Sequence, residues 1–206
     1  IPCFNLGEYI IESVLSIQKQ TFTNTEIIIV NDGSNEKHTI DLLNNFPIAN
    51  VKILHHEVNH GVCLARNTGI NHSKGEYILT LDADDILLPT YIEKCINILD
   101  KNINIGIVYS KANLFGLVNG LWDLKKFSLT DMLVENLIFS AALFRKKDFL
   151  KTVGFNPIMK HGGDDWDFWL SIIELGYDVH RIEEILFLYR IRKNSRSRMV
   201  NSIKLL

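Results

Sequence analysis

Apolar residues along the chain switch between a helical and a strand period. Across 8–18, Ile10, Ile11, Val14 and Leu15 recur at helical spacing and predict an amphipathic helix. Glu26-Ile27-Ile28-Ile29-Val30 is a short apolar run, read as a buried strand that ends in the turn signal Asn31-Asp32-Gly33-Ser34. A helix over 39–45 and a strand over 51–54 follow. After the Asn59-His60-Gly61 turn, 62–71 reads as a helix, with Gly75 in the stop position. Tyr77–Leu81 is a strand, Pro89 opens a helix to about Leu99, and 106–109 is another strand. Strands alternating with helices of this length predict an α/β domain: a mostly parallel central sheet with helices on both faces.

The pattern then loosens. Residues 113–123 carry no clean period. A strand over 140–144, a short helix over 147–153, a helix beginning near Asp164 and an extended segment over 185–190 complete the reading. The chain is expected to form one domain, with a nucleotide-style half over 1–110 and a more irregular half over 111–206. Ile1-Pro2-Cys3-Phe4-Asn5 reads like the end of a strand, so the start of that strand is expected to be missing from the sequence.

Composition narrows the classes. The chain has 206 residues, 47% of them apolar and 22% charged, enough for one substantial core. A net charge of −2 does not suggest a nucleic-acid binder. Cys3, Cys63 and Cys95 form no CxxC pair, and a reducing, cytoplasmic setting is the economical expectation. No apolar run reaches membrane-spanning length.

Carboxylates cluster where predicted elements end. The Tyr77–Leu81 strand runs into Asp82-Ala83-Asp84-Asp85, three acids that would repel one another unless something positive sits among them. An acid-rich helix N-terminus is the plain alternative. The spacing favours Asp84 as ligand of an oxygen-preferring divalent metal, with Asp82 two residues away on the same face of an extended backbone and Asp85 released to cap the next helix. Ile86 and Leu87 exclude a calcium-binding EF-hand loop. Asp32, taken alone, means a turn or cap more readily than a ligand contact. Arg66 lies on a helix among small and apolar neighbours, which points its guanidinium at a phosphate or ribose. Asp164, Asp165 and Asp167 follow Gly162-Gly163 beside Trp166 and Trp169. Capping accounts for one of these acids, and acids beside aromatic surface suit a sugar, with one carboxylate as general base. His55, His56 and His60 do not complete a zinc site, and there is no GxGxxG, P-loop or GxSxG.

Taken in order, these segments resemble family 2 glycosyltransferases. The resemblance rests on Ile1-Pro2-Cys3-Phe4-Asn5 with Glu8, Val30-Asn31-Asp32-Gly33-Ser34, Asn59-His60-Gly61 with Ala65-Arg66-Asn67, Gly75-Glu76-Tyr77-Ile78 leading to Leu81-Asp82-Ala83-Asp84-Asp85, and Gly163-Asp164-Asp165-Trp166-Asp167. It implies a GT-A, Rossmann-like fold, a nucleotide-diphospho-sugar donor, most often a UDP-sugar, and inverting transfer to a saccharide or lipid-linked saccharide acceptor. It implies that Asp32 recognises the base, that Pro2, Phe4 and Glu8 line the nucleoside pocket, and that Arg66 approaches the ribose or diphosphate. Asp82 and Ala83 would face the ribose or donor sugar, and Asp84 would hold Mn2+ or Mg2+. Asp165 matches the catalytic base, with Asp164 and Trp166 on the acceptor or sugar side.

One segment departs from the family's pattern. In Tyr189-Arg190-Ile191-Arg192, an arginine stands at 192 where the family often carries histidine. From Arg190 to Lys204 there are six basic residues and no acid, which offers a peripheral contact with an anionic membrane surface. A solvated tail explains them as well. The competing class is a nucleotide-sugar-binding module without turnover. A nucleotidyltransferase would need a glycine-rich basic loop near the start, which Asn5-Leu6-Gly7-Glu8 is not.

Overall fold

The computed structural model describes residues 1–159 and 162–193. The first half alternates as read: β1 (Pro2–Cys3), α1 (Gly7–Gln18), β2 (Ile27–Asp32), α2 (Lys37–Asn44), β3 (Val51–His56), α3 (Val62–His72), β4 (Tyr77–Leu79), β5 (Ile86–Leu87) and α4 (Tyr91–Lys101). The second half holds β6 (Ile105–Gly116), β7 (Gly120–Trp122), α5 (Leu129–Met132), β8 (Leu143–Arg145), α6 (Lys146–Phe149), α7 (Asp164–Ile173) and β9 (Asp178–Ile191).

β1, β2 and β3 form a parallel sheet in that order. Successive side chains of β2 point to opposite faces, as a strand requires. Ile28 and Val30 pack with Ala65 of α3, while Ile27 and Ile29 join the main core. Both faces are therefore covered, which explains why the strand reads as a continuous apolar run rather than an alternating one. The second sheet runs β4-β8-β6-β9-β5, with β7 added to β6. There β6 and β9 pair in parallel, while β4–β8, β6–β8, β5–β9 and β6–β7 are antiparallel. The expected α/β layering is present, with its uninterrupted parallel pairing in the first half.

Several local expectations change. The stretch 113–123 is the end of β6, a tight reversal and β7. Gly116 and Gly120 take positive φ there, which is why no single period ran through it. Pro89 does not begin α4: the helix starts at Tyr91, and the Pro89 carbonyl accepts from Thr21 N–H at 2.8 Å. Gly75 is not a left-handed stop for α3, which ends at Ser73 with φ −74°. Trp169 is sealed in the core against Phe144 and Phe168, so it offers no sugar-stacking surface. Cys3, Cys63 and Cys95 are free and buried. Among the described residues no helix is long and apolar enough to cross a membrane.

A largely apolar groove of about 620 Å³ separates the sheets, lined by Ile28 and Val30 of β2, Tyr77 and Leu79 of β4, and residues of α3 and α4. Asp32, Asp84 and Asp165 do not line it, but Pro2 and Arg66 do, so it abuts the carboxylate site from behind those two residues.

Candidate active site

The loops after β1 and β2 are knitted together. Asn5, at φ 55°, accepts the backbone N–H groups of Asn35 and Glu36 through Oδ1, each at 3.0 Å. Gly33 adopts φ +66°, and a Cβ there would lie 2.3 Å from the Val58 carbonyl carbon. Only glycine lets the β2 and β3 loops approach this closely. Asp32 is thereby held at the strand tip, 3% exposed. It accepts from His56 Nδ1 at 2.7 Å, from His60 N–H at 3.1 Å and from Gly61 N–H at 2.8 Å. His56 also meets Thr68 Oγ1 at 3.0 Å, and His55 meets Asn31. All three histidines thus serve the β2 tip through hydrogen bonds, His55 and His56 by their rings and His60 by its backbone N–H. Pro2 is buried beside this tip, while Phe4 and Glu8 are exposed.

The acidic segment after β4 is a turn rather than an extended strand, closed by Asp85 N–H donating to the Asp82 carbonyl at 3.1 Å. The expectation that Asp82 and Asp84 share one face of an extended backbone therefore fails. Their carboxylates go to different partners: Asp82 to Arg66 and Ser140, Asp84 to Arg192. Ala83 between them is fully buried. Asp85 is not a helix cap. It is fully buried under β9, and its Oδ1 accepts the Arg190 N–H at 2.8 Å. Its Oδ2 finds no partner among the described residues. Helix α1 carries the turn from below: Ser13 Oγ donates to the Asp82 carbonyl at 3.3 Å, and Ser16 Oγ accepts Leu87 N–H at 3.2 Å.

Arg66 is the junction of the site. Its Nη2 lies 2.7 Å from Asp82 Oδ1, and its Nη1 pairs with Asp164 Oδ2. The arginine is 4% exposed and lies 5.2 Å from the Phe155 ring. Burial pulls the guanidinium toward neutrality, but Asp82, Asp164 and Asp165 more than offset it and keep the charge. The sequence aimed this guanidinium at a ribose or phosphate; the structure spends it on two carboxylates. It thus ties the turn of the first half to the start of α7.

Helix α7 begins after Gly163, whose φ of 77° is left-handed. Asp164 is 1% exposed and faces inward to Arg66. Asp165 is half-buried. Its Oδ1 accepts from Trp166 N–H at 2.9 Å and from Asn136 Nδ2 at 3.2 Å. Burial and then the neighbouring Asp164 push its carboxyl up to about 6, against the pull of Arg66. Such a group is ionised at neutral pH and more basic than an ordinary aspartate, as a general base needs. Trp166 is half-buried with its indole N–H donating to the Met132 carbonyl at 2.7 Å, which fixes the ring beside the acids.

Four contributors escaped the sequence reading. Asn136 and Ser140 come from the loop before β8 and touch Asp165 and Asp82. Arg190 sits over the acidic turn, and its guanidinium lies 5.0 Å from the Tyr9 ring. The excess of arginines near the end of β9 was the only sequence signal for any of them.

The turn could take a divalent cation. Burial and then Asp82 raise the Asp84 carboxyl, and burial with Asp84 and Asp82 raises Asp85 well above the usual range. Asp82 and Asp84 each face an arginine, and the donors of the turn are hard carboxylate oxygens that suit Mn2+ or Mg2+. Among the described residues no three acidic, histidine or cysteine groups converge as a cage. The residues fit an ion held chiefly by Asp84 whose remaining positions a ligand's oxygens would fill.

Two sheets with nucleotide-style connections, carboxylates at the tips of β2 and β4 and a further acidic pair at α7 define a GT-A α/β domain. The chain belongs to glycosyl transferase family 2, whose model matches residues 1–153. It is 30% identical over 203–223-residue alignments to relatives such as the glycosyltransferase GlyG of Streptococcus pneumoniae, where it covers 95% of this chain and 70% of GlyG. In other curated relatives the chain spans a smaller share, 65% in one from Haemophilus influenzae. Among solved structures it resembles Staphylococcus aureus TarS 1–349 in complex with UDP, with a TM-score of 0.77 at 19% identity, covering 92% of this chain and 59% of that one. It also resembles the mannosyltransferase PcManGT of Pyrobaculum calidifontis in complex with GDP-Man and Mn2+, with a TM-score of 0.74 at 16% identity, covering 99% and 60%.

Proposed function

We propose that this chain is the catalytic domain of an inverting glycosyltransferase that moves a hexosyl or N-acetylhexosaminyl group from a nucleotide-diphospho-sugar, UDP-linked in the first instance, to a saccharide hydroxyl during surface-polysaccharide or glycoconjugate synthesis. The observation that carries the reading is the Arg66 bridge, because it brings the acidic turn and the α7 acids into one site. Family membership and the nucleotide-bound structural relatives support it.

In this reading the tip of β2 and the loop after β1, with Asp32, Pro2, Phe4 and Glu8, receive the nucleoside. Asp82, Ala83 and Asp84 receive the ribose, sugar and diphosphate. A divalent cation bound by Asp84 would neutralise charge on the departing nucleoside diphosphate. Asp165 removes the acceptor proton as the acceptor oxygen attacks the anomeric carbon from the face opposite the leaving group. Asn136 and the Trp166 N–H hold the carboxylate in one orientation. Arg66 pairs with Asp164 beside it.

The test is a panel of nucleotide-sugars, scored by donor binding with and without chelator and by release of nucleoside diphosphate. Metal-dependent binding of one donor with slow release supports the reading. Binding with no release under any acceptor, unchanged in Asp165→Asn, favours a non-catalytic binding module.

A further inference from the structure

The end of β9 lies over the acidic turn and presents two arginines in different ways. Arg190 is a fastener. Its backbone N–H binds Asp85 Oδ1 and its Nε donates to the Asp84 carbonyl, both at 2.8 Å. Its Nη2 pairs with Glu12, and its guanidinium lies 4.2 Å from the Phe115 ring. Arg192 makes a simpler contact: its Nε pairs with Asp84 Oδ2, and its guanidinium lies 5.5 Å from the Tyr9 ring. The Arg192 side chain keeps 21% of its surface exposed, so a route to solvent remains.

A guanidinium has five N–H donors, and the pair with Asp84 uses the one on Nε. Arg192 thereby covers an oxygen of the carboxylate proposed to hold the cation. A guanidinium and a metal ion repel each other on one carboxylate. A diphosphate offers the guanidinium a flat, bidentate partner of higher charge than a single carboxylate.

We propose that Arg192 is a diphosphate-binding residue held in reserve by Asp84. As the donor enters, the guanidinium leaves the carboxylate for the phosphate oxygens, and Asp84 is freed. Donor capture and exposure of the metal-binding carboxylate are then one exchange, and each favours the other by the same factor. This rests on the reading above that the turn receives a nucleoside diphosphate.

The experiment is calorimetric titration of UDP in chelator, on the chain and on Asp84→Asn, Arg192→Ala and the double variant, with circular dichroism confirming that each is folded. Arg192→Gln serves as a second removal of the guanidinium. Asp84→Asn should bind UDP about tenfold more tightly, because Arg192 is released, and Arg192→Ala about tenfold more weakly. In the Arg192→Ala background, Asp84→Asn should change affinity by no more than about twofold. An equal gain from Asp84→Asn in both backgrounds overturns the exchange, since lost charge repulsion alone would explain it. No gain at all also overturns it. A parallel titration with Mn2+ separates the two readings. If UDP or GDP binds while the cycle shows no coupling, only the exchange falls. If no nucleoside diphosphate binds with or without Mn2+, the proposed function falls with it.

Discussion

Arg66 and Asp164 form an ion pair across 98 residues of sequence, with side chains 2% and 1% exposed. A pair sealed this far from water pays a desolvation cost that only good geometry returns, and removing one partner of such a pair is strongly destabilising.

Arg66→Met should therefore destabilise the domain by about 3–5 kcal/mol, read as a lowered urea midpoint. Because Asp164 then loses the arginine it faces, Arg66→Met combined with Asp164→Asn should recover part of the loss. A double variant no more stable than the single one would show that the arginine matters for packing on Phe155 rather than for charge.

Asp165→Asn should separate activity from stability. Transfer should fall by roughly a hundred- to ten-thousandfold, as expected for loss of a positioned base. The folded carboxyl is raised to about 6, above the ordinary aspartate range near 4, so its stabilising contribution is present below about 4 and is lost as pH rises through 6. Near pH 7.5 the charged group is a burden on the order of 1–3 kcal/mol, which asparagine removes. Scanning calorimetry should show the variant melting higher at pH 7.5, with the advantage gone near pH 4.

The same carboxyl sets the pH dependence of transfer. The base works only when deprotonated, so kcat/KM should rise through an apparent pKa near 6 and level off above it. A profile flat between pH 5 and 8, measured with donor below saturation, would remove Asp165 from the base role.

Gly33→Ala should loosen the nucleoside side of the site. The left-handed backbone alone costs alanine about 1–2 kcal/mol. A methyl 2.3 Å from the Val58 carbonyl carbon and 2.4 Å from Asn59 N must also push the β3 loop away. That loop supplies the His60 and Gly61 N–H groups to Asp32, so UDP affinity should drop together with the melting temperature.

The order of elements and the carboxylates at their tips were readable because each rests on local chemistry. A buried strand ending in Asn31-Asp32-Gly33-Ser34 has few other meanings, and the acids after β4 stand out by mutual repulsion. The partners of those acids were not readable. Nothing near Arg66 in sequence indicates that its guanidinium meets Asp164, and Asp85 looked like a cap because a proline followed it. Buried polar positions on and just after α1 were equally hidden: Ser13 and Ser16 break the apolar face, and with Gln20 they hold the backbone of residues 82–92. The true lengths of β6 and β9 were masked because their outer ends are only half-buried and so carry a weak period.

β6 and β9 align in parallel from Ile105 opposite Asp178 to Gly116 opposite Ile191. The chain between them contains β7, β8 and three helices, so this pairing closes a long loop. During synthesis β6 emerges well before its partner and waits with an open edge. Long-range pairings of this kind form slowly, and unpaired edges are where nascent chains stick to one another. Lys111 on β6 and Glu183 on β9, which form an ion pair in the finished sheet, put opposite charges on the two waiting strands. Each charge discourages its own strand from pairing with a copy of itself and favours the late-arriving partner. The strand that carries Arg190 and Arg192 to the acidic turn is thus among the last pieces to dock, and a newly made chain completes the proposed donor site only when its last described strand is in place.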